Sequence, residues 1–252
     1  MRRRRTPSRG RRRTGAAVNS TVTRLYCLPH AGGTPAAYHG WAEALAPGIA
    51  VVPLQPPRGT APGDAPGARP ATVTRSAEVL AARLAPETAH PYAFFGHSLG
   101  ALVAFETVRA LLRHGCPAPR RLFVCGSGPP PAEAAGSRAL HALPDEDFLR
   151  VVSRRGELPP EVLTDEELRQ VLVPQLRADY ALAETYRYRP GPPLPCPVTV
   201  LCGQSDPLVD HERLGAWREH TTAAAPVRLV PGGHLLLHSA APHLHDAVRA
   251  GL

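Results

Sequence analysis

Six short apolar runs recur along the chain: "RLYCLP" near residues 24–29, "IAVVPLQ" at 49–55, "YAFFG" at 92–96, "RLFVCG" at 121–126, "VTVLCG" at 198–203 and "VRLVPGG" at 227–233. Each is bounded by turn residues, rich in Val, Leu and Phe, and apolar at successive rather than alternate positions, the pattern of strands covered on both faces. Helical periodicity fills most of the intervals, at Trp41–Leu45, Val73–Leu84, Leu99–Leu112, His211–His220 and a terminal stretch near Pro242–Leu252. Strands alternating with helices predict a mostly parallel sheet flanked by helices, a three-layer α/β domain.

One interval breaks the alternation. Residues 129–190 hold no strand-like run but contain "LPDEDFLRVVSRR" and "TDEELRQVLVPQLRADYALAETYRY". In the second, Thr164 and Glu167 have the spacing of a capping box, and Leu168, Val171, Leu172, Leu176, Tyr180 and Ala183 recur at helical spacing. Pro174 is expected to kink or split that helix, since its ring clashes with the preceding turn and it offers no N–H. Pro-rich "GPPPAEAAG" and "RPGPPLPCP" flank the segment as stiff linkers. A helical insertion of this kind is either a lid over a site at the carboxyl edge of the sheet or a packing decoration.

Composition narrows the class. The 252 residues suit one large domain, and 43% of them are apolar without any uninterrupted apolar run of membrane-spanning length, so a soluble globular protein with no membrane span is expected. The net charge of +8 points to nucleic acid until it is located: eight arginines lie within the first 13 residues, leaving the remainder formally neutral. Residues 1–20, with like charges among Ser, Pro and Gly, are expected to form a disordered tail ahead of a domain at 21–252; no nucleic-acid partner is expected. "TGAAVNSTVTR" after the arginines lacks the apolar core of an export signal, so a cytoplasmic location is expected. Cys27, Cys116, Cys125, Cys196 and Cys202 show no metal or redox spacing and read as free thiols of a reducing compartment.

The chemistry gathers around "FFGHSLGALVAFE", residues 94–106. Gly96-His97-Ser98-Leu99-Gly100 fits the G-x-S-x-G elbow, and it follows a predicted strand and opens a predicted helix, the context that gives the motif meaning. Glycines two residues to either side remove Cβ atoms that would collide at so tight a turn, and the helix start aims its N–H groups at the serine oxygen. An ordinary turn with a capping serine leaves both glycines unexplained.

A serine hydroxyl needs a base to take its proton, and that base needs an acid to hold its tautomer. On this fold the acid and then the base should follow later strands. "VTVLCGQSDPLV" delivers Asp206 and "VRLVPGGHLLL" delivers His234, in that order. Asp210 is the rival acid and reads as a helix N-cap. His238, His243 and His245 fall on or near the terminal helix, and His114, His141 and His220 follow no strand. The oxyanion donors are expected to be the N–H groups of Leu99, next to the serine, and Ala31, in "LPHAGGTPAAY", where Gly32 and Gly33 allow close approach. His30 and His97 read as hydrogen-bonding supports.

With those residues assembled, the chain resembles the type II thioesterases that accompany modular polyketide and nonribosomal peptide synthetases, members of the α/β-hydrolase superfamily. The resemblance spans about residues 24–250. It rests on "PHAGG" followed by Tyr38 and Trp41, on "FGHSLGALVAFE", "RADYALAETYRY", "GQSDPLV" and "PGGHLLL". It implies hydrolysis of aberrant or stalled acyl units from the phosphopantetheine arm of an acyl or peptidyl carrier protein; the triad mechanism requires no metal or organic cofactor, and a monomer is expected. It also implies lid helices over the site, Ser98, Asp206 and His234 as the triad, and Ala31 and Leu99 as the oxyanion donors. Two features depart from the family pattern: Pro56-Pro57-Arg58-Gly59 stands where a Tyr-Pro-Gly-Arg turn is usual, and the arginine-rich tail has no counterpart. A carboxylesterase or lipase on free esters, and a non-catalytic binding protein on a hydrolase scaffold, are the alternative readings.

Overall fold

The computed structural model describes residues 22–57, 72–130, 139–156, 162 and 164–252. The expected tail, Arg58 and Gly59, and part of the 129–190 segment lie outside them. Strands β1 (Thr23–Leu28), β2 (Ile49–Pro53), β3 (Tyr92–His97), β4 (Leu122–Cys125), β5 (Val198–Gly203) and β6 (Val227–Val230) form one sheet in the order β2-β1-β3-β4-β5-β6, every pair parallel. The chain leaves β1 toward one edge, returns, and builds outward from β3 in the other direction. The carboxyl ends of β1 and β3, with Leu28 opposite Gly96, therefore mark the switch point at which loops diverge and open a crevice.

Successive strand residues feed opposite layers. Tyr26, Leu28, Phe94, Leu122 and Val124 pack with α2 (Val73–Leu84) and α3 (Leu99–Arg113) on one face. Leu25, Cys27, Phe95, Phe123 and Cys125 pack on the other face with α1 (Trp41–Leu45), α6 (Leu236–Ser239) and α7 (Ala241–Gly251). Burial on both faces holds for β1, β3, β4 and β5 but fails at the edges: β2 is half-buried, and Val227 and Leu229 of β6 are exposed because each edge strand has a neighbour on one side only. The stretch His211–His220 is a 3-10 helix instead of an α-helix, capped by Asp210, which accepts from the Glu212 N–H at 3.0 Å.

Between β4 and β5 the described residues carry α4 (Asp145–Arg154) and α5 (Glu166–Thr185). They share a small core of Phe148, Val152, Val162, Val173, Leu176 and Tyr180. Three expectations need correction here. The N-cap of α5 is Asp165, one residue later than the Thr164 capping box, because its carboxylate accepts from both Glu167 N–H and Leu168 N–H. Pro174 does not split the helix, which runs for 20 residues with Val173 and Leu176 buried on either side of the proline. The apolar stripe is not buried throughout: Leu168 and Val171, at 40% and 58% exposure, face solvent. Among the described residues, no helix is long and apolar enough to cross a membrane.

Candidate active site

The strand-to-helix turn at the end of β3 is strained as its glycines suggest. Ser98 has φ 54° and ψ −117°, the positive φ of a residue forced out of the ordinary regions. A Cβ on Gly96 would lie 2.3 Å from the Gly100 carbonyl oxygen, and one on Gly100 would lie 2.2 Å from that of Leu28. Both are backbone atoms with nowhere to move. The Ser98 N–H donates to the Cys125 carbonyl at 2.8 Å, and the Ala101 N–H to that of Ser98 at 2.9 Å, so the turn is held from β4 and from its own helix.

Loops after the last two strands supply its neighbours. His234 follows Gly232 and Gly233 beyond β6; its Nε2 lies 3.0 Å from Ser98 Oγ and its Nδ1 2.8 Å from Asp206 Oδ2. Because a carboxylate only accepts, Nδ1 carries the proton and Nε2 presents its lone pair to the serine hydroxyl. Asp206 is buried. Burial alone pushes its pKa up, but the bond and charge of His234, the Leu208 N–H at 2.9 Å and the Cys202 thiol outweigh it and hold the carboxyl below its usual value.

The imidazole is also fixed from behind. His97, fully buried, donates from Nε2 to the His234 carbonyl at 2.8 Å. Burial, then the nearby His30 and His234, push its pKa well below the ordinary histidine range, so it stays neutral and can serve as a fixed donor. His30 meets the His97 ring edge-on at 5.2 Å. The rival groups lie elsewhere: Asp210 caps a helix, His238 sits on α6, and His243 and His245 sit on α7, His245 against Trp41 at 4.7 Å.

Ala31 and Leu99 line, with Ser98 and His234, a cavity of about 760 Å³. Leu99 opens α3, so its N–H belongs to the unpaired first turn at the positive end of the helix dipole. Gly33 N–H donates to the His30 carbonyl at 3.0 Å, folding the loop after β1 tightly over the serine side, and a Cβ on Gly33 would press on Pro29 at 2.8 Å. The roof comes from the insertion, through Tyr180, Ala183, Glu184 and Arg155. Among the described residues, no group of three His, Cys, Asp or Glu side chains could hold a metal ion.

His97 is a hydrogen-bonding support as expected, but the partners in two contacts escape sequence reasoning. One is the His97 bond to the His234 backbone; the other joins Asp179 of α5 to the Gly32 N–H at 2.8 Å. The only signal for the second is a carboxylate on the apolar face of α5, three residues from Leu176 and one from Tyr180, which demands a partner it does not name.

Parallel strands, helices on both faces and a serine elbow at the switch point define an α/β-hydrolase. The thioesterase domain family model matches residues 23–251. Thioesterase PikA5 of Streptomyces venezuelae is 39% identical over 234 residues, covering 90% of this chain and 79% of its own. The structure of RedJ, the thioesterase from the prodiginine biosynthetic pathway of Streptomyces coelicolor, superposes with a TM-score of 0.80 at 38% identity, covering 91% of this chain and 90% of its own. YbtT, a type II thioesterase from the yersiniabactin NRPS/PKS biosynthetic pathway, gives 0.76 at 29% identity and covers 92% and 93%. The chain belongs to the thioesterase domain family and is a thioester hydrolase.

Proposed function

We propose that the chain is a type II thioesterase that clears aberrant or stalled acyl units from the phosphopantetheine arm of acyl or peptidyl carrier proteins, in the cytoplasm, during polyketide or nonribosomal peptide synthesis. The observation that carries the reading is the hydrogen-bonded line from Ser98 through His234 to Asp206 on the floor of a cavity of about 760 Å³, large enough for an acyl chain. The kinship with PikA5, RedJ and YbtT supports the substrate class.

In this mechanism His234 Nε2 takes the Ser98 proton as Oγ attacks the thioester carbonyl. Asp206 keeps Nδ1 protonated and stabilises the imidazolium. The N–H groups of Leu99 and Ala31 hold the oxyanion; each such donor is worth about 100- to 1,000-fold in turnover. The leaving thiol has a pKa of about 8.5, so it departs with little help from the acid, whereas an amine would need full protonation. Water, activated by the same imidazole, then cleaves the acyl-enzyme. The insertion acts as a lid whose helices shape the acyl-binding side.

Turnover of a panel of acyl-loaded carrier proteins, set beside p-nitrophenyl esters of the same acids, tests the reading. Carrier-bound substrates are expected to have the higher kcat/KM, and Ser98→Ala to lose about 10,000-fold or more in kcat together with fluorophosphonate labelling. Equal efficiency on the free esters would make the protein a general esterase, and an unchanged Ser98→Ala rate would remove the triad.

A further inference from the structure

We propose that Asp179 is a positioning residue for the oxyanion hole, and that through it α5 must be seated on the loop after β1 before the Ala31 N–H can serve the reacting carbonyl. The inference rests on the function proposed above and adds a coupling between its two parts.

The loop is a four-residue turn, His30-Ala31-Gly32-Gly33, closed by the Gly33 N–H on the His30 carbonyl at 3.0 Å, with Gly32 at φ 76°. A positive φ at the third position is the mark of the type II turn; the type I alternative rotates the central peptide by about half a turn and makes that φ negative. Glycine tolerates both, so the loop sequence by itself selects neither. Asp179 Oδ2 accepts from the Gly32 N–H at 2.8 Å, and that N–H belongs to the central peptide. Rotated, the same peptide would turn the Ala31 carbonyl toward the carboxylate and set two acceptors against each other. Asp179 therefore selects one turn type.

The anchor reaches the proposed donor through the neighbouring peptide: the His30 carbonyl accepts from the Gly33 N–H in either turn type, and the Asp179 bond fixes where the turn that carries the Ala31 N–H sits beside Ser98. The Ala31 N–H shares a peptide plane with the His30 carbonyl, and in a trans peptide the two point in opposite directions. While the turn holds the carbonyl inward on Gly33, the N–H faces outward, and Ala31 lines the cavity beside Ser98. Asp179 is 3% exposed, so its bond forms away from competing water, where a hydrogen bond is stronger.

Neighbouring contacts make the coupling mutual. Leu176, Asp179 and Tyr180 occupy one face of α5 at spacings of three and four. A Cβ on Gly32 would lie 2.7 Å from Leu176 Cδ1, so the helix rests on the turn itself, and Ala31 packs against the insertion's own core. Lifting α5 removes the Gly32 partner and the packing together.

The test is steady-state kinetics of the full chain on one acyl carrier thioester and one p-nitrophenyl ester, for wild type, Ser98→Ala, Asp179→Ala, Asp179→Leu and Asp179→Asn. Asp179→Ala is expected to lower kcat about 10- to 100-fold on both substrates, less than removal of a donor outright, with KM changed by less than about threefold. Asp179→Leu fills the same space without an acceptor and should show the same loss, which covers the case in which the alanine variant fails to fold. Asp179→Asn keeps an acceptor oxygen and should recover most of kcat. A boronic acid that mimics the tetrahedral adduct should weaken by the same factor as kcat/KM. Wild-type kcat in Asp179→Ala or Asp179→Leu, or a loss confined to KM, would overturn the positioning role and leave the proposed function intact. A wild-type protein that hydrolyses neither substrate would overturn both.

Discussion

The floor and the roof of the cavity are held by different physics. On the floor, Ser98, Asp206 and His234 hang from the carboxyl ends of β3, β5 and β6, and the first two of those strands are buried on both faces. The glycines beside them leave no room: a Cβ on Gly203 would meet the Gly233 carbonyl oxygen at 2.1 Å, as close as the approaches at Gly96 and Gly100. Among the described residues, the roof rests on six buried side chains, keeps Leu168 and Val171 in solvent, and ties down its surface with exposed pairs such as Arg150–Asp147 and Arg169–Glu166. Such pairs contribute about 0–1 kcal/mol each. Under the proposed function, the tightly packed floor would fix the reacting atoms and the more loosely buried roof would close over the acyl chain, so that chemistry and substrate choice would fall to differently packed parts.

Breaking the floor should give the largest effect. In Gly100→Ala the new methyl would sit 2.2 Å from the Leu28 oxygen and 2.5 Å from that of Pro29, both backbone atoms where β1 ends. A loss of about 3 kcal/mol in global stability is expected, the upper end of the overpacking range, together with loss of turnover. Denaturant unfolding followed by circular dichroism measures it; a midpoint within error of wild type would show that the elbow has slack the geometry denies.

Breaking the roof should be milder and local. Phe148 is fully buried between Tyr180, edge-on at 5.5 Å, and the Arg177 guanidinium, 4.4 Å above its ring. Removing such a ring from a main core costs about 3–5 kcal/mol. In Phe148→Ala that loss falls on the opening of the insertion rather than on global unfolding, because its cluster is separate from the two that pack on either face of the sheet. Faster amide exchange across α5 with α3 unchanged, and a KM raised about tenfold, are the expected outcomes. Uniform acceleration in both helices would show that floor and roof unfold as one unit.

The same contrast explains what could be read from the sequence. The six strands, the helices between them and the elbow are local patterns in which burial on two faces and a forbidden Cβ leave marks within a few residues. The loops bearing Asp206 and His234 are also local, each directly after a strand, and the structure brings both to Ser98. Misreadings fall where neighbours decide. Asp165 and Thr164 both suit an N-cap, and only the path of the chain picks the former. Leu168 and Val171 carry the right period but meet no partner, and β6 is apolar in composition yet exposed at the sheet edge. The Asp179–Gly32 contact spans 147 positions and left no local trace beyond a charge on an apolar face.

The smallest effect sharpens the floor's side of the comparison, through a buried group whose charge state is linked to stability. His97 is wholly buried, donates to the His234 carbonyl, and faces His30 and His234, so its pKa lies well below the ordinary value because burial, then those neighbours, penalise the cation. In the unfolded chain the same ring takes up a proton near pH 6.5. The unfolded state therefore binds more protons below that pH, and stability present at neutral pH is lost as the pH falls through about 6.5, at no more than about 1.4 kcal/mol per pH unit from this group. His220 and His245 are shifted in the same direction and add to the slope in any variant that retains them. In His97→Gln, whose amide can still donate to the His234 carbonyl, the His97 share disappears. Unfolding midpoints compared at pH 7 and pH 5.5 should thus converge for His97→Gln relative to wild type, and parallel pH curves would mean that the buried imidazole is protonated without cost to the fold.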